Sequence, residues 1–511
     1  MQPDPHQLEQ AVGVYRRYLA GTELYNFDIS SLDRIGIPIH VAALRAEDGF
    51  TNDGFGYGGS SAEALVGALG EMSETYHVHQ ALKLAPVCEA VSYEEMVGRF
   101  GIDRVLDPLT LCLPAGYPYH QQLPLRWVAV TRWHDGANCW APRETVAPGG
   151  DSFATQSGNV EFQIDRIPAK LFPPITCGLG AGLTIEQALA HGVLELLQRD
   201  GNCTAFRAMD RGIDIELDIV ESEEIKATIA HLEHLGLRVR AKLASTEFGM
   251  VNLYVIAEPT DGDHTCESFP LLATACGEAV HPNRERALRK ALQELLASRS
   301  RKVFMHGPLE SIRKLAPLRY QQDILEVNHP DGEEPKALRE MVNWLTKTEV
   351  ELHDLLRETV FSSREKLKFS ELPTVADEEV VRSVDRMAEI TRRLLAEDIL
   401  IYYFDASPDG ANGPQVIKAI APGLEGETLS YWRIGGRGAK RLLERQSDLV
   451  TQGPPQPQDL QIPLTPAAQE KLGGPVYFRA SAWEKILSRH YPLYREPSSH
   501  TAQKYLATHG A

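Results

Sequence analysis

Three segments of this chain share one pattern, in which an Ala-Leu pair is followed by a glutamate seven residues after the alanine. The segments are 64–71, 188–195 and 287–294. Because seven residues make almost two turns of an α-helix, the alanine and the glutamate of each segment lie on one helical face. Glycine-rich stretches precede the first two segments, at 54–60 and 178–182. The pattern predicts three helices, two of them entered from a glycine-rich turn.

The rest of the chain mixes apolar runs with helical periodicity. Apolar runs bounded by proline and glycine predict strands, and they lie at 39–44, 127–133, 234–245, 251–259 and 399–407. Helical patterns occupy 7–20, 61–82, 281–299 and 335–397, and a glycine loop with a helix covers 176–208. A proline-rich stretch, 453–466, predicts a linker. The mixture predicts an α/β (α+β) fold.

Composition argues against several classes of protein. A net charge of −18 disfavours nucleic-acid binding, which needs a basic face. The chain shows neither an apolar run of about 18 residues nor the apolar core of a secretion signal. Its seven cysteines are scattered and form no Cys-x-x-Cys pair, so a disulfide framework and a cysteine zinc site are not expected. We expect a cytoplasmic protein that binds neither nucleic acid nor a membrane.

The repeated glutamates and glycine turns suggest a site with defined chemistry. Backbone N–H groups at a helix N-terminus bind anions, and carboxylates bind the Mg²⁺ that accompanies nucleotide phosphates. Together they are consistent with a metal–nucleotide site. The alternative is structural, because alanine and leucine favour helices and helical glutamates are usually solvated. His191 and Glu195, four residues apart, allow the same two interpretations.

Five stretches, in their order and spacing, resemble the YcaO family. They are "LDRIGIP" (32–38), "GYG" with "ALVGALGEMSE" (56–74), "GLGAGLTIEQALAHGVLELLQRD" (178–200), "ACGEAVHPNRERALRKALQELLASR" (275–299) and "DASPDGANGPQVIKAIAPGLE" (405–425). The resemblance implies the YcaO fold, with duplicated sheet–helix units around a central nucleotide cleft. It also implies an enzyme that uses ATP and Mg²⁺ to activate backbone amides of ribosomally made peptides, as in bacteriocin biosynthesis. The product would be an azoline, a thioamide or an amidine.

The resemblance implies a set of metal ligands on two helices. Glu71 and Glu74 match family glutamates on the first helix, and Glu195 matches one on the second. Gln198 stands where the family has a further glutamate. Its amide keeps a carbonyl oxygen that Mg²⁺ can use, with less electrostatic strength than a carboxylate.

The resemblance also implies nucleotide contacts. Arg199 and Arg299 match family arginines and would hold phosphates bidentately. Glu294 matches a family glutamate, and Gln187 stands in place of another. Leu183 takes the place of an asparagine and has no ligating atom.

The resemblance implies a precursor peptide as the substrate. Because the region before "LDRIGIP" (32–38) is too short for a fused ThiF-like domain, we expect a separate ThiF-like or TfuA-like partner protein to deliver that peptide. A homodimer is also expected from the family. The predicted divisions are an N-terminal segment (1–55) packing on the core, a YcaO domain (56–440) and a C-terminal extension (441–511).

The replaced ligands leave two alternatives to an ATP-dependent enzyme. The first is a non-catalytic scaffold or partner subunit of a peptide-modification complex. The second is an ATP-independent enzyme that uses the same cleft.

Overall fold

The structure, a computed structural model, describes residues 5–86, 90–148, 176–205, 212–260, 269–426 and 432–510. Its strands are β1 (Thr22–Asp28), β2 (Ile39–Ala46), β3 (Thr51–Tyr57), β4 (Val91–Ser92), β5 (Pro124–Leu125), β6 (Trp127–Arg132), β7 (Asn138–Pro142), β8 (Leu179–Gly182), β9 (Ile213–Glu216), β10 (Leu237–Ser245), β11 (Val251–Pro259), β12 (Cys276–His281), β13 (Glu365–Lys368), β14 (Tyr402–Asp405), β15 (Gln415–Ile420), β16 (Val450–Thr451), β17 (Asp459–Gln461) and β18 (Tyr477–Arg479).

Its helices are α1 (Pro5–Tyr18), α2 (Ser61–Leu84), α3 (Tyr93–Phe100), α4 (Ile185–Ala205), α5 (Glu223–His234), α6 (Arg284–His306), α7 (Leu309–Leu315), α8 (Leu318–Tyr320), α9 (Pro335–Leu345), α10 (Glu349–Leu356), α11 (Ser383–Leu395), α12 (Gly436–Glu444), α13 (Pro466–Leu472), α14 (Ala480–Leu487) and α15 (Thr501–His509). The predicted α/β class is confirmed. None of the helices described is long and apolar enough to cross a membrane.

The chain divides into two compact units, and the division falls within α2, between Ser73 and Glu74. Unit 1 takes the described residues of 1–73, 209–380 and 489–511, and unit 2 takes those of 74–208 and 381–488. Each unit is therefore assembled from segments that are far apart in the sequence.

Among the residues described, unit 1 contains two sheets. The first has the order β1-β2-β3 and is antiparallel, with Phe27 opposite Val41. The second has the order β12-β11-β10-β9-β13, antiparallel except for the parallel pair β9–β13.

Helix α6 contributes to both hydrophobic cores of unit 1. Leu288 and Leu292 pack in the core of the five-stranded sheet, together with Leu253 of β11. Phe304, near the other end of α6, packs with Phe27 in the core of the three-stranded sheet. A helix that is apolar on more than one side is expected to be buried, and α6 is.

Unit 2 is built on an antiparallel sheet of order β7-β6-β14-β15-β8. Trp127 of β6 lies in its core and donates its indole N–H to the carbonyl of Val91 at 2.8 Å. Helix α4 packs on β8 and β15. A smaller antiparallel sheet, of order β16-β18-β17, and the pair β4–β5 complete the unit's sheets among the residues described.

The glycine-rich stretches predicted as turns are largely strand. Residues 54–57 lie in β3, and residues 179–182 form β8. Glycine is a poor strand former on its own, so the packing of these strands, rather than local propensity, explains their conformation.

Candidate functional site

The three repeated glutamates share one hydrogen-bonding role. Glu71 and Glu294 each accept a backbone N–H of the strand that precedes their helix, and Glu195 accepts the N–H of the residue directly before β8. The bonds run from Phe55 N to Glu71 Oε2 (2.5 Å), from Gly178 N to Glu195 Oε2 (3.0 Å) and from Glu278 N to Glu294 Oε2 (3.0 Å). Among the residues described, β3, β8 and β12 are edge strands, so their outer donors face no further described strand. The shared spacing therefore places a carboxylate over the open edge of each sheet.

A glycine in each strand allows the helix to approach closely. A Cβ atom added to Gly56, Gly180 or Gly277 would lie 1.9, 2.1 or 1.8 Å from a main-chain oxygen of the following helix. These oxygens belong to Ala64, Ala188 and Ala291. The glycines are therefore required by strand–helix packing, whether or not a phosphate binds nearby.

In unit 2, the edge of β8 carries a second carboxylate. Glu74 Oε1 accepts the N–H of Ala181 at 2.9 Å, and His191 Nε2 lies 3.9 Å from the same oxygen. The structure thus brings Glu74 and Glu195 to one stretch of backbone, because their partners Ala181 and Gly178 are three positions apart. It pairs His191 with Glu74, a contact between α4 and α2 that sequence spacing did not indicate.

Arg199 lies beside Glu195, one turn further along α4. Its Nη2 is 3.6 Å from Glu195 Oε1, and both side chains are 23% exposed. Gln198 precedes Arg199 and is half-buried. Unit 2 therefore gathers two carboxylates and a guanidinium around β8 and the middle of α4.

Gln187 has a structural role at the start of α4. Its Oε1 accepts the N–H of Leu183 at 3.1 Å, while the N–H of Gln187 donates to the Thr184 hydroxyl at 3.2 Å. This arrangement resembles a capping box, in which the helix N-terminus exchanges hydrogen bonds with a glutamine three residues on. The sequence signal for it is Thr-Ile-Glu-Gln at 184–187.

Arg299 forms a buried ion pair in unit 1. Its Nε and Nη2 donate to the two carboxylate oxygens of Asp33 at 2.8 and 3.1 Å. The side chains of Arg299 and Asp33 are 1% and 3% exposed. A phosphate could reach this guanidinium only if the pair were broken. Asp33 was not singled out from the sequence, although it lies within "LDRIGIP".

Glu71 and Glu294 both affect the pKa of Tyr57 in unit 1. Burial raises the pKa of Tyr57 well above 10, and the negative charges of Glu294 and Glu71 raise it further. Burial and the neighbouring Glu278 raise the pKa of Glu294, against the opposing charge of Lys290. The charges of two of the predicted acids therefore act on one phenol in unit 1.

Lys418, on β15, is a buried cation that sequence analysis did not identify. Its Nζ donates to the carbonyl of Cys177 at 2.6 Å, and the N–H of the same peptide group donates to Glu195. Burial lowers the pKa of Lys418 from 10.5 to about 8, although Cys177, Glu195 and Glu74 oppose the change. In the sequence, Lys418 could have been noticed as a charged residue within the apolar run "VIKAI".

Lys418 and Arg199 line a cavity of about 80 Å³ in unit 2. Sites for small molecules usually measure about 300 Å³ or more, so a nucleotide would not fit inside this cavity. Across the described part of the chain, no three His, Cys, Asp or Glu side chains come together closely enough to hold a metal ion.

A match to a protein-family model shows which family the chain belongs to. The model of YcaO cyclodehydratases, which bind ATP and Mg²⁺, matches residues 55–425. The chain belongs to the YcaO family. An uncharacterised protein of Methanothermobacter thermautotrophicus is 26% identical over 419 residues, which cover 80% of this YcaO protein and 91% of the relative.

Two solved structures share the fold of this YcaO protein. YcaO from Methanopyrus kandleri, bound with AMPPCP and Mg²⁺, is 17% identical with a TM-score of 0.52, covering 84% of this chain and 93% of its own. A heterocyclase in complex with substrate and cofactor is 13% identical with a TM-score of 0.57, covering 85% and 55%. At these identities the likeness establishes the fold, and the predicted YcaO fold is confirmed.

Proposed function

We propose that this YcaO protein binds a nucleotide together with Mg²⁺ and uses it to activate a backbone amide of a peptide. The family description supports nucleotide and metal binding, as does the AMPPCP and Mg²⁺ in the Methanopyrus kandleri structure. The observation that carries the proposal is the placement of Glu74, Glu195 and Arg199 around β8 in unit 2.

The residues around β8 fit a hard cation with a phosphate. Each carboxylate uses one oxygen to accept a backbone N–H, which fixes its orientation, and carboxylates have lone pairs on both oxygens. Mg²⁺ takes one or two such carboxylates together with substrate phosphates. We assign Glu74 and Glu195 as metal ligands in unit 2, with the amide oxygen of Gln198 as a further ligand. In unit 1, Glu71 is proposed separately as a metal ligand.

Arg199 is assigned as the phosphate-binding residue. It is 23% exposed, and its pairing with Glu195 at 3.6 Å holds the guanidinium beside the metal ligands. A planar guanidinium can donate two parallel hydrogen bonds to a phosphate. Arg299 and Gln187 are assigned roles in holding the fold. Arg299 is engaged in an ion pair with Asp33, and Gln187 caps the start of α4. Glu294 remains a proposed nucleotide contact.

A bound nucleotide would supply the phosphoryl group that activates the amide oxygen, and Mg²⁺ would neutralise charge on it. The protein's own contribution is to position these groups. Glu74 is held by the N–H of Ala181 in β8 and Glu195 by the N–H of Gly178 directly before it, so the backbone orients both carboxylates.

We further propose a precursor peptide as the substrate, delivered by a separate ThiF-like or TfuA-like protein, and a catalytic domain spanning 56–440. The structure of a heterocyclase in complex with substrate and cofactor is consistent with this proposal. Azoline, thioamide and amidine formation all require phosphorylation of the amide oxygen, either before or after a nucleophile adds, and the proposal covers that shared step.

A second candidate is a non-catalytic partner subunit. It is favoured by the engagement of Gln187 and Arg299 in folding contacts, since both stand at positions where the family has ligands. In this case the same helices would support the fold and bind no nucleotide.

Calorimetric titration of ATP with and without Mg²⁺ separates the two functions. We expect saturable binding that requires Mg²⁺, accompanied by a rise in melting temperature. Glu195→Gln should weaken binding at least tenfold, whereas Glu397→Gln, at an exposed position of unit 2, should leave it unchanged. No heat and no thermal shift at millimolar ATP and Mg²⁺ would exclude nucleotide binding and favour the partner subunit.

A further inference from the structure

The C-terminal residues of the chain belong to unit 1, although the long segment before them belongs to unit 2. Residues 489–510 belong to unit 1, whereas 381–488 belong to unit 2. Within this C-terminal part, residues 496–504 contact both β3 and α6, and we call them the clamp segment. Strand β3 provides the N–H that Glu71 accepts, and α6 carries Glu294.

The clamp segment is attached to α6 at two points. The Glu496 carboxylate accepts hydrogen bonds from Lys302 and from His306, the latter at 3.1 Å. The N–H of His500 donates to the carbonyl of Met305 at 2.7 Å. These contacts fix the segment to the last two turns of the helix.

The clamp segment is also attached to β3, through a buried carboxylate. Asp53 Oδ2 accepts the hydroxyl of Ser499 at 3.2 Å and the hydroxyl of Tyr320 at 3.4 Å. The Tyr320 hydroxyl also bonds to His500 Nε2 at 2.9 Å. Ser499 and His500 therefore reach the strand two residues before Phe55.

Aromatic packing continues the contact to Phe55. The His500 ring meets Phe304 edge to face, with centroids 5.0 Å apart, and Phe304 meets Phe55 in the same way at 5.6 Å. The backbone N–H of Phe55 donates to Glu71. A continuous set of contacts thus runs from the clamp segment to a proposed metal ligand.

His500 shows that the clamp segment is held firmly. Its side chain is fully buried, and its φ of +73° lies in the left-handed region that non-glycine residues seldom adopt. Such a conformation persists where the surrounding contacts determine it, and it is frequent where a structure must be pre-organised.

We infer that the clamp segment positions Glu71, with Ser499 and His500 as positioning residues that act through β3. The inference rests on the proposed function, in which Glu71 is a metal ligand. Loss of the Ser499 hydroxyl leaves Asp53 with fewer donors, loosens β3 at Phe55 and reduces the precision with which Glu71 is held.

The test uses the full chain with Ser499→Ala, the conservative Ser499→Thr and, as a control on α15, Thr508→Ala. Hydrogen exchange followed by mass spectrometry measures the peptide covering β3. We expect faster exchange there in Ser499→Ala, with wild-type exchange in the threonine and control variants and at β10–β11. Unchanged β3 exchange in Ser499→Ala would overturn the inference.

A second readout links the segment to Glu71. Ser499→Ala should weaken Mg²⁺-dependent AMPPCP binding about 3- to 10-fold, the effect of losing one hydrogen bond. In a Glu71→Gln background the same change should have no further effect, because the two residues act in series. Additive effects would contradict positioning through Glu71. If the wild type binds no AMPPCP, the proposed function fails, and β3 exchange alone decides the inference.

Discussion

Arg299 and Asp33 lie 266 residues apart in the sequence and form a bidentate, fully buried ion pair. The pair joins the "LDRIGIP" stretch to α6, the helix shared by both cores of unit 1. A buried guanidinium and a buried carboxylate each need a partner of opposite charge, and Arg299 and Asp33 provide this for each other.

Arg299→Met should destabilise unit 1 by about 3–5 kcal/mol, since it leaves the Asp33 carboxylate buried without its partner. Urea unfolding relative to the wild type measures the change. Arg382→Met, which removes an exposed partner of Asp385, should change stability by less than about 1 kcal/mol. Equal effects of the two substitutions would show that the buried pair is not needed for the fold.

Gly277→Ala should destabilise the protein by about 3 kcal/mol or more, because the new methyl group meets backbone atoms that cannot move aside. The matched control is Gly13→Ala in α1, where a Cβ meets nothing within 4 Å. That change should stabilise by up to about 1 kcal/mol, as helical propensity favours alanine. Thermal unfolding of both variants distinguishes close packing from a general effect of the methyl group.

Lys418 should make stability depend on pH between about 8 and 10.5. In this range the unfolded chain binds a proton that the folded chain does not, so stability rises with pH; below pH 8 the cost of burying the ammonium is fully present. The stability of Lys418→Met relative to the wild type should therefore fall by about 3 kcal/mol from pH 7.5 to 10.5.

The control for this titration is Lys440→Met, on the exposed side of α12. Its stability relative to the wild type should be constant over the same pH range. Parallel curves for Lys418→Met and the wild type would mean that Lys418 titrates as an ordinary exposed lysine.

Gln187→Ala should destabilise α4 by about 1 kcal/mol and leave Mg²⁺-dependent nucleotide affinity unchanged, because the side chain caps the helix. Gln187→Glu, which keeps the accepting oxygen, should restore stability. A loss of nucleotide affinity in the alanine variant without a loss of stability would instead identify Gln187 as a ligand.

Much of the fold could be predicted from the sequence. Helical periodicity placed α2, α4 and α6, and the order of the family stretches indicated the YcaO fold, because these signals depend on residues close together in the chain. The strand character of 54–57 was missed, since local propensity treats glycine as a turn former and carries no information about a helix packed against it.

The candidate site was predicted less completely. The identity of Glu71, Glu195 and Glu294 came from their spacing, but their shared hydrogen bonds to the backbone at sheet edges did not. The pairings of Arg299 with Asp33 and of Lys418 with the Cys177 carbonyl join residues that are more than 200 positions apart. Sequence patterns of helical or strand period cannot contain such pairs.

The sequence by itself determined the family, the three helices and the carboxylates on them, because these follow from local spacing and motif order. Only the tertiary structure decided which charged groups are exposed near β8 and which are engaged in buried contacts that hold the fold. Burial sets that division: a charge removed from water must find a partner, and the partner is chosen by the packing of distant segments.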